Sequence, residues 1–174
     1  MESTQQRAVA LVKANGGSLK GETLSIRVQS PKPGKGEMWD DYGSPVERIP
    51  TSDPRWHNWK GPWKDQIVQR RGSRSFKMGA EKGAEVSVRF EGTGAIVSGP
   101  YLPTGGKATI YLDGKLDGVV DLYPDEDEPK FGASIWYAFG LKNGPHTVRL
   151  VVNGEPGPGS KGQDVALEDI IVYR

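Results

Sequence analysis

The sequence contains no cysteine, which removes disulfides, thiolate nucleophiles and zinc–thiolate sites together. Histidine is nearly absent too, with two in 174 residues, so acid–base or metal chemistry has few imidazoles to use. An excess of either charge is also missing. Lys and Arg number 23 against 22 Asp and Glu, and such a chain lacks the long-range positive field that collects nucleic-acid phosphates. No apolar run approaches the ~20 residues that span a bilayer. The opening MESTQQRAV lacks the basic-then-apolar order of a signal peptide. No ten-residue helical period lies between the alternating segments, which excludes a doubly wound α/β fold.

What the chain has in quantity is turn residues, with 24 glycines and 13 prolines punctuating short apolar runs. The stretch Ala84 to Tyr123 organises the rest. Val86, Val88 and Phe90 alternate with Glu85, Ser87, Arg89 and Glu91, the two-residue period of a strand with one buried face. Gly92-Thr93-Gly94 breaks that run, Ala95 to Ser98 begins another, and Thr104-Gly105-Gly106 turns the chain into Ala108, Ile110 and Leu112. Asp113-Gly114 suits a type I′ hairpin, where both turn residues take positive φ.

Before this meander, Thr4 to Ala14 reads as a short helix and Glu22 to Gln29 as a first strand. Ser30 to Trp63 has no sustained period and reads as a long loop, with Trp39, Trp56, Trp59 and Trp63 in it. Strands are expected at Gln66–Arg71, Ser73–Met78, Leu116–Tyr123 and Thr147–Asn153. Ile135, Tyr137 and Phe139 are placed on one strand face with Leu141, and Trp136 on the other. Val165–Tyr173 closes the chain, with a bulge expected at Glu168-Asp169 where the alternation fails. The inventory is about ten strands and one helix. We therefore expect an all-β, two-sheet antiparallel β-sandwich (jelly roll) over residues 23–174, with residues 1–22 as a helical lead-in or linker.

The segments LKNGPHTVRL (141–150) and Val165 to Tyr173, with Phe90-Glu91-Gly92-Thr93-Gly94 and Ile110-Tyr111-Leu112-Asp113-Gly114, resemble galactose-binding-like jelly rolls. Such domains occur as carbohydrate-binding modules and as accessory domains of bacterial hydrolases. The resemblance implies a noncatalytic carbohydrate-binding module appended to a larger enzyme, with a glycan and that parent enzyme domain as partners. It places the whole protein outside the cytoplasm: extracellular, periplasmic or on the cell surface. The alternative it leaves open is an accessory domain that docks on its parent without binding sugar. These folds often hold a structural calcium, but no motif assigns ligands here; the acidic loop Asp125 to Glu128 with Asp121 supplies oxygens, and a solvated loop is the preferred reading because the glycine and alternate spacing of an EF-hand are absent.

Tryptophan faces stack on the apolar C–H faces of sugars while flanking polar groups take the hydroxyls. The expected ligand-binding residues are therefore Trp39, Trp56, Trp59, Trp63 and Trp136, with Arg55 and Asn58 for hydroxyl contacts. The competing reading is that the tryptophans fold back as a small core for their own loop. No catalytic residues are expected, because nothing in the spacing brings Ser98, His57 and Asp53 together.

Overall fold

A computed structural model describes residues 45–69, 72–124 and 128–174. The chain divides into two units, Met1–Met38 and Trp39–Arg174, and every described residue belongs to the second. The expected helix and first strand, Trp39, Arg70, Arg71 and Asp125 to Asp127 lie outside the described residues.

Twelve strands follow in order: β1 Pro45–Pro50, β2 Trp56–Lys60, β3 Lys64–Gln69, β4 Ser73–Gly79, β5 Glu85–Gly92, β6 Gly94–Tyr101, β7 Gly106–Leu112, β8 Lys115–Asp121, β9 Lys130–Ala138, β10 Gly144–Pro156, β11 Val165–Leu167 and β12 Asp169–Tyr173. They form a four-stranded sheet β1-β12-β6-β9, a five-stranded sheet β2-β5-β10-β7-β8 and a three-stranded sheet β11-β4-β3. All strand pairings are antiparallel. Nine of the ten expected strands fall among the described residues, and they become twelve because β1 and β2 lie inside what reads as loop and the closing strand divides into β11 and β12. The irregular composition of β1 and β2 hides them: β1 begins and ends on proline, and β2 is broken by a register shift between His57 and Lys60.

One core joins the two larger sheets. Val86, Val88 and Phe90 of β5, Val148 and Leu150 of β10 and Ile110 of β7 meet Ile49 of β1, Ile170 and Val172 of β12 and Val97 of β6. Each is at most 4% exposed, and fully burying such a side chain contributes about 1.5–3 kcal/mol. The β7–β8 turn has φ of 49° at Asp113 and 78° at Gly114, as the I′ geometry requires.

Two irregularities decide which side chains face out. In the β6–β9 ladder Val97 pairs with Trp136 and Ser98 with Ser134, so Ile135 is an inserted residue. The insertion resets the alternation: Ile135 and Trp136 are both buried, at 6% each, and Tyr137 turns outward, 67% exposed. The expectation that Tyr137 shares a face with Ile135 is thereby corrected. At Glu168 the chain does more than bulge. Leu167 pairs with Lys77 in the three-stranded sheet and Asp169 with Ser98 in the four-stranded one, so Glu168 is the single residue at which the strand changes sheets. Its carboxylate accepts from Arg74 Nη1 (3.2 Å) and the Gly132 amide (3.3 Å), which satisfies a side chain only 8% exposed. Asp169 beside it accepts from Ser98 Oγ and Arg48 Nη1.

Candidate functional site

The tryptophan segment folds into a layer of its own. Trp56 is 3% exposed, and its Nε1 donates to the Ile49 carbonyl at 3.1 Å. Trp59 stacks on it at 6.0 Å and 23° and meets the Trp63 ring edge-on at 5.2 Å and 75°. Lys77 Nζ lies 5.3 Å from the Trp59 ring centroid and is held by Asp65 at 2.6 Å. Trp63 donates Nε1 to the Lys60 carbonyl at 2.9 Å and lies over Gly79, where a Cβ would come within 3.0 Å of the indole. Trp56 is enclosed, while Trp59 and Trp63 are both half-buried.

Trp136 is buried as well, and its Nε1 donates to Asp117 Oδ2 at 2.6 Å, tying β9 to β8. Neither Trp56 nor Trp136 presents a face on which a sugar could stack. Arg55 is committed to carboxylates: Nε and Nη2 bond both oxygens of Asp53 (2.9 and 2.8 Å), and Nη2 also reaches Glu47 at 2.7 Å. The Arg55 side-chain and backbone bonds pull the Asp53 pKa down to about 2, and the Arg55 bond also lowers Glu47. Asn58 is exposed at the irregular part of β2, with a φ of 56°. A shallow open groove of 280 Å³ borders Lys64, Met78, Glu81 and Asp164. Met78 and Gly79 alternate along β4, so this groove lies on the opposite face of β4 from Trp63.

The exposed aromatic surface lies elsewhere, on the outer face of the four-stranded sheet. Tyr137 and Phe139 are 6.0 Å apart at 35°, and Phe139 meets Tyr173 at 5.0 Å and 80°. Ile96 and Ile171, half-buried, continue the surface from Tyr137 across β6 and β12, and Arg48 of β1 ends that row. The Gly92-Thr93-Gly94 turn builds this corner. The Thr93 amide donates to the Tyr173 carbonyl (2.8 Å), and the Thr93 carbonyl accepts from the Leu141 amide (2.8 Å). A Cβ on Gly92 would fall 2.3 Å from the Tyr173 carbonyl oxygen, and one on Gly94 would fall 2.5 Å from Phe139 Cδ1. Only glycine lets the turn close beneath both rings.

The polar groups that a hydrolase would need are dispersed. Ser98 bonds Asp169, His57 Nδ1 lies 2.8 Å from the Arg55 carbonyl, and His146 pairs with Asp113 at 2.7 Å. Among the described residues no three His, Asp or Glu side chains converge on a space fit for a metal ion. Nor is any helix among them long and apolar enough to cross a membrane.

No protein-family model matches the sequence, and no curated protein matches it. Solved structures do match. A two-domain esterase active on acetylated mannans superposes with a TM-score of 0.54 at 14% identity, covering 97% of this chain and 46% of that one. The same kind of esterase co-crystallised with mannopentaose gives 0.51 at 16%, covering 73% and 36%. What the chain shares with them is the fold, an antiparallel β-sandwich. A family 35 carbohydrate-binding module from an environmental isolate also aligns, with a TM-score of 0.46 at 13% identity over 74% of this chain and 93% of the module. The sandwich spans less than half the length of the esterase chains it matches.

Sequence reasoning missed the Tyr137–Phe139–Tyr173 surface because strict alternation sends Tyr137 inward with Ile135. One signal was available: Ile135 and Trp136 are adjacent large apolar residues, and burying both in one strand requires one of them to be an extra, bulged residue.

Proposed function

We propose that this chain is a noncatalytic module that binds a soluble glycan on the outer face of the four-stranded sheet, stacking it on Tyr137, Phe139 and Tyr173. The observation that carries the reading is the aromatic trio itself, whose first member is 67% exposed on a rigid sheet. Aromatic surface left open this way marks binding. The rings are inclined at 35° and 80° to their neighbours, so they form a bent cradle suited to a single flexible chain and not to a flat crystalline polysaccharide. From β9 to β1 the face spans three strand spacings, roughly 14 Å, the length of a short oligosaccharide. Exposed Arg48 at the far end supplies donors for hydroxyls.

Affinity at one such site is modest, on the order of micromolar to millimolar, because sugar hydroxyls exchange water bonds for similar ones. We place the module in a larger carbohydrate-active protein outside the cytoplasm. The likeness to one part of a two-domain esterase supports that setting. The second reading is a docking domain that covers the same aromatic face with its parent enzyme.

Calorimetric titration with mannopentaose, xylotriose and a panel of other oligosaccharides tests the proposal. A saturable heat that Tyr137→Ala weakens about threefold to tenfold supports stacking there. A flat response from folded protein across the panel favours the docking reading. Binding that Tyr137→Ala leaves intact and Trp63→Ala abolishes moves the site to the tryptophan layer.

A further inference from the structure

His146 stands at the start of β10 with both ring nitrogens against acceptors. Nδ1 lies 2.7 Å from Asp113 Oδ2, and Nε2 lies 2.8 Å from the Lys142 carbonyl oxygen. A carboxylate and a carbonyl can only accept, so a ring that bonds both carries a proton on each nitrogen. This geometry is that of an imidazolium. A neutral ring can keep one bond and turns a lone pair toward the other oxygen.

The two partners belong to different parts of the sandwich. Asp113 sits in the β7–β8 turn and is tied independently to Thr147, whose amide donates to Asp113 Oδ1 at 2.8 Å and whose carbonyl accepts from the Asp113 amide at 2.9 Å. Lys142 belongs to the link from β9 to β10, residues 139–143, which begins with Phe139. A neutral His146 retains its proton toward the carboxylate, where the bond is charge-assisted, and gives up the Lys142 carbonyl. The loss therefore falls on the link that carries the central ring of the aromatic surface.

We propose that His146 is a positioning residue for that surface: its imidazolium fastens the Lys142 end of the 139–143 link, beside the Leu141 amide's bond to the Thr93 carbonyl, keeping Phe139 between Tyr137 and Tyr173, and loss of the proton loosens the link and weakens glycan binding. The inference rests on the platform reading above for its ligand, though not for its structural step. The other charged groups near the ring are Lys115 at the start of β8, which acts on the Asp113 carboxylate, and the Lys142 amine on the link itself; Arg89 and Glu91 of β5 flank Phe90 and turn to the opposite face of the sheet. Of the carboxylates only Asp113 bonds the ring, and the Phe90 ring covers it at 5.4 Å. Burial works to lower the His146 pKa, but the bonds to Asp113 and Lys142 outweigh it and the net shift is upward.

The test uses the full chain. Ring resonances of His146 and Phe139 are followed by NMR from about pH 5 to about pH 9.5 without sugar, a range that brackets an imidazole raised above ~6.5. Mannopentaose titrations are run near both limits. The expected result is that Phe139 signals move with the His146 midpoint and that affinity falls about fivefold at high pH, the loss of one hydrogen bond's net contribution. Asp113→Asn should move both midpoints to lower pH, since Asn still accepts from the Thr147 amide while lacking the charge. His146→Gln should give weak, pH-independent binding; if it does not fold, the Asp113→Asn profile carries the test. Phe139 signals indifferent to the His146 titration overturn the proposal, as does mannopentaose affinity that is equal at both limits. Phe139 signals that follow His146 without binding of any glycan uphold the positioning role and overturn the platform reading.

Discussion

Gly94→Ala places a methyl group where the structure has no room for one. The added Cβ would lie 2.5 Å from Phe139 Cδ1, 2.9 Å from the Ala138 carbonyl oxygen and 3.2 Å from Phe139 Cα. Ordinary carbon contacts need about 3.5–4.0 Å, so the ring must retreat by about an ångström. The carbonyl cannot retreat as freely, because Ala138 is paired with Ala95 in the β6–β9 ladder. Overpacking of this kind costs about 1–3 kcal/mol. Replacing glycine at an ordinary φ returns about 0.4–1 kcal/mol by restricting the unfolded chain, which leaves a net loss of about 1–2 kcal/mol. For a domain of this size that lowers Tm by roughly 2–8 °C. Gly118→Ala is the matched control, since a Cβ there meets nothing within 4 Å and its φ is not positive. Thermal melts of both variants, with mannopentaose titrations alongside, decide the matter. Gly94→Ala should melt below the parent and bind less, while Gly118→Ala should melt at or slightly above the parent and bind as it does. If the two variants melt together, the close approach of Phe139 to Gly94 is wrong.

Trp63→Ala removes an indole packed on Gly79 and on Trp59, and should cost about 2 kcal/mol in urea denaturation while leaving mannopentaose affinity unchanged. Arg48→Ala strips the ion pair from Asp169, a carboxylate only 9% exposed, and should cost about 2 kcal/mol; Arg48→Lys should recover part of it. Acid and alkali act on different groups. Asp53 and Glu47 have lowered pKa values, so their stabilisation is present above their unfolded values and is lost as pH falls, for Asp53 between about pH 4 and about pH 2. Arg55→Ala should flatten that limb of a Tm-versus-pH profile. His146 is raised, so its contribution is full below about 6.5 and is lost as pH rises through its folded value. His146→Gln should flatten the alkaline limb and leave the acid one.

Alternation in β5 and β7 and the Asp113-Gly114 turn were readable because those strands are regular and bury one face. β1 and β2 were not, since β1 starts and ends on proline and β2 shifts register after two residues, and a period needs length to show. The tryptophans drew attention by their clustering, yet composition carries no information about whether an indole faces its neighbour or the solvent. Trp56, Trp59 and Trp63 face one another. The aromatic surface that does open outward draws on Tyr137 and Phe139 near one end of β9 and on Tyr173 in β12, which only the sheet order makes neighbours. One inserted residue, Ile135, separates the two readings of Tyr137.

The position of β12 constrains how the chain acquires its shape during synthesis. It is emitted after the other eleven described strands, yet it lies inside the four-stranded sheet with β1 on one side and β6 on the other. Arg48 waits for a carboxylate 121 positions downstream. Until Asp169 to Tyr173 leave the ribosome, β1 has no partner among the described strands and β6 has one open edge, so the nascent chain carries strand edges that invite pairing with other chains. The five-stranded sheet can assemble earlier, since β2, β5, β7, β8 and β10 are complete by Pro156. Closure of the sandwich is then a late event governed by β12, and a chain arrested before Asp169 would hold the five-stranded sheet with its apolar face open to chaperones.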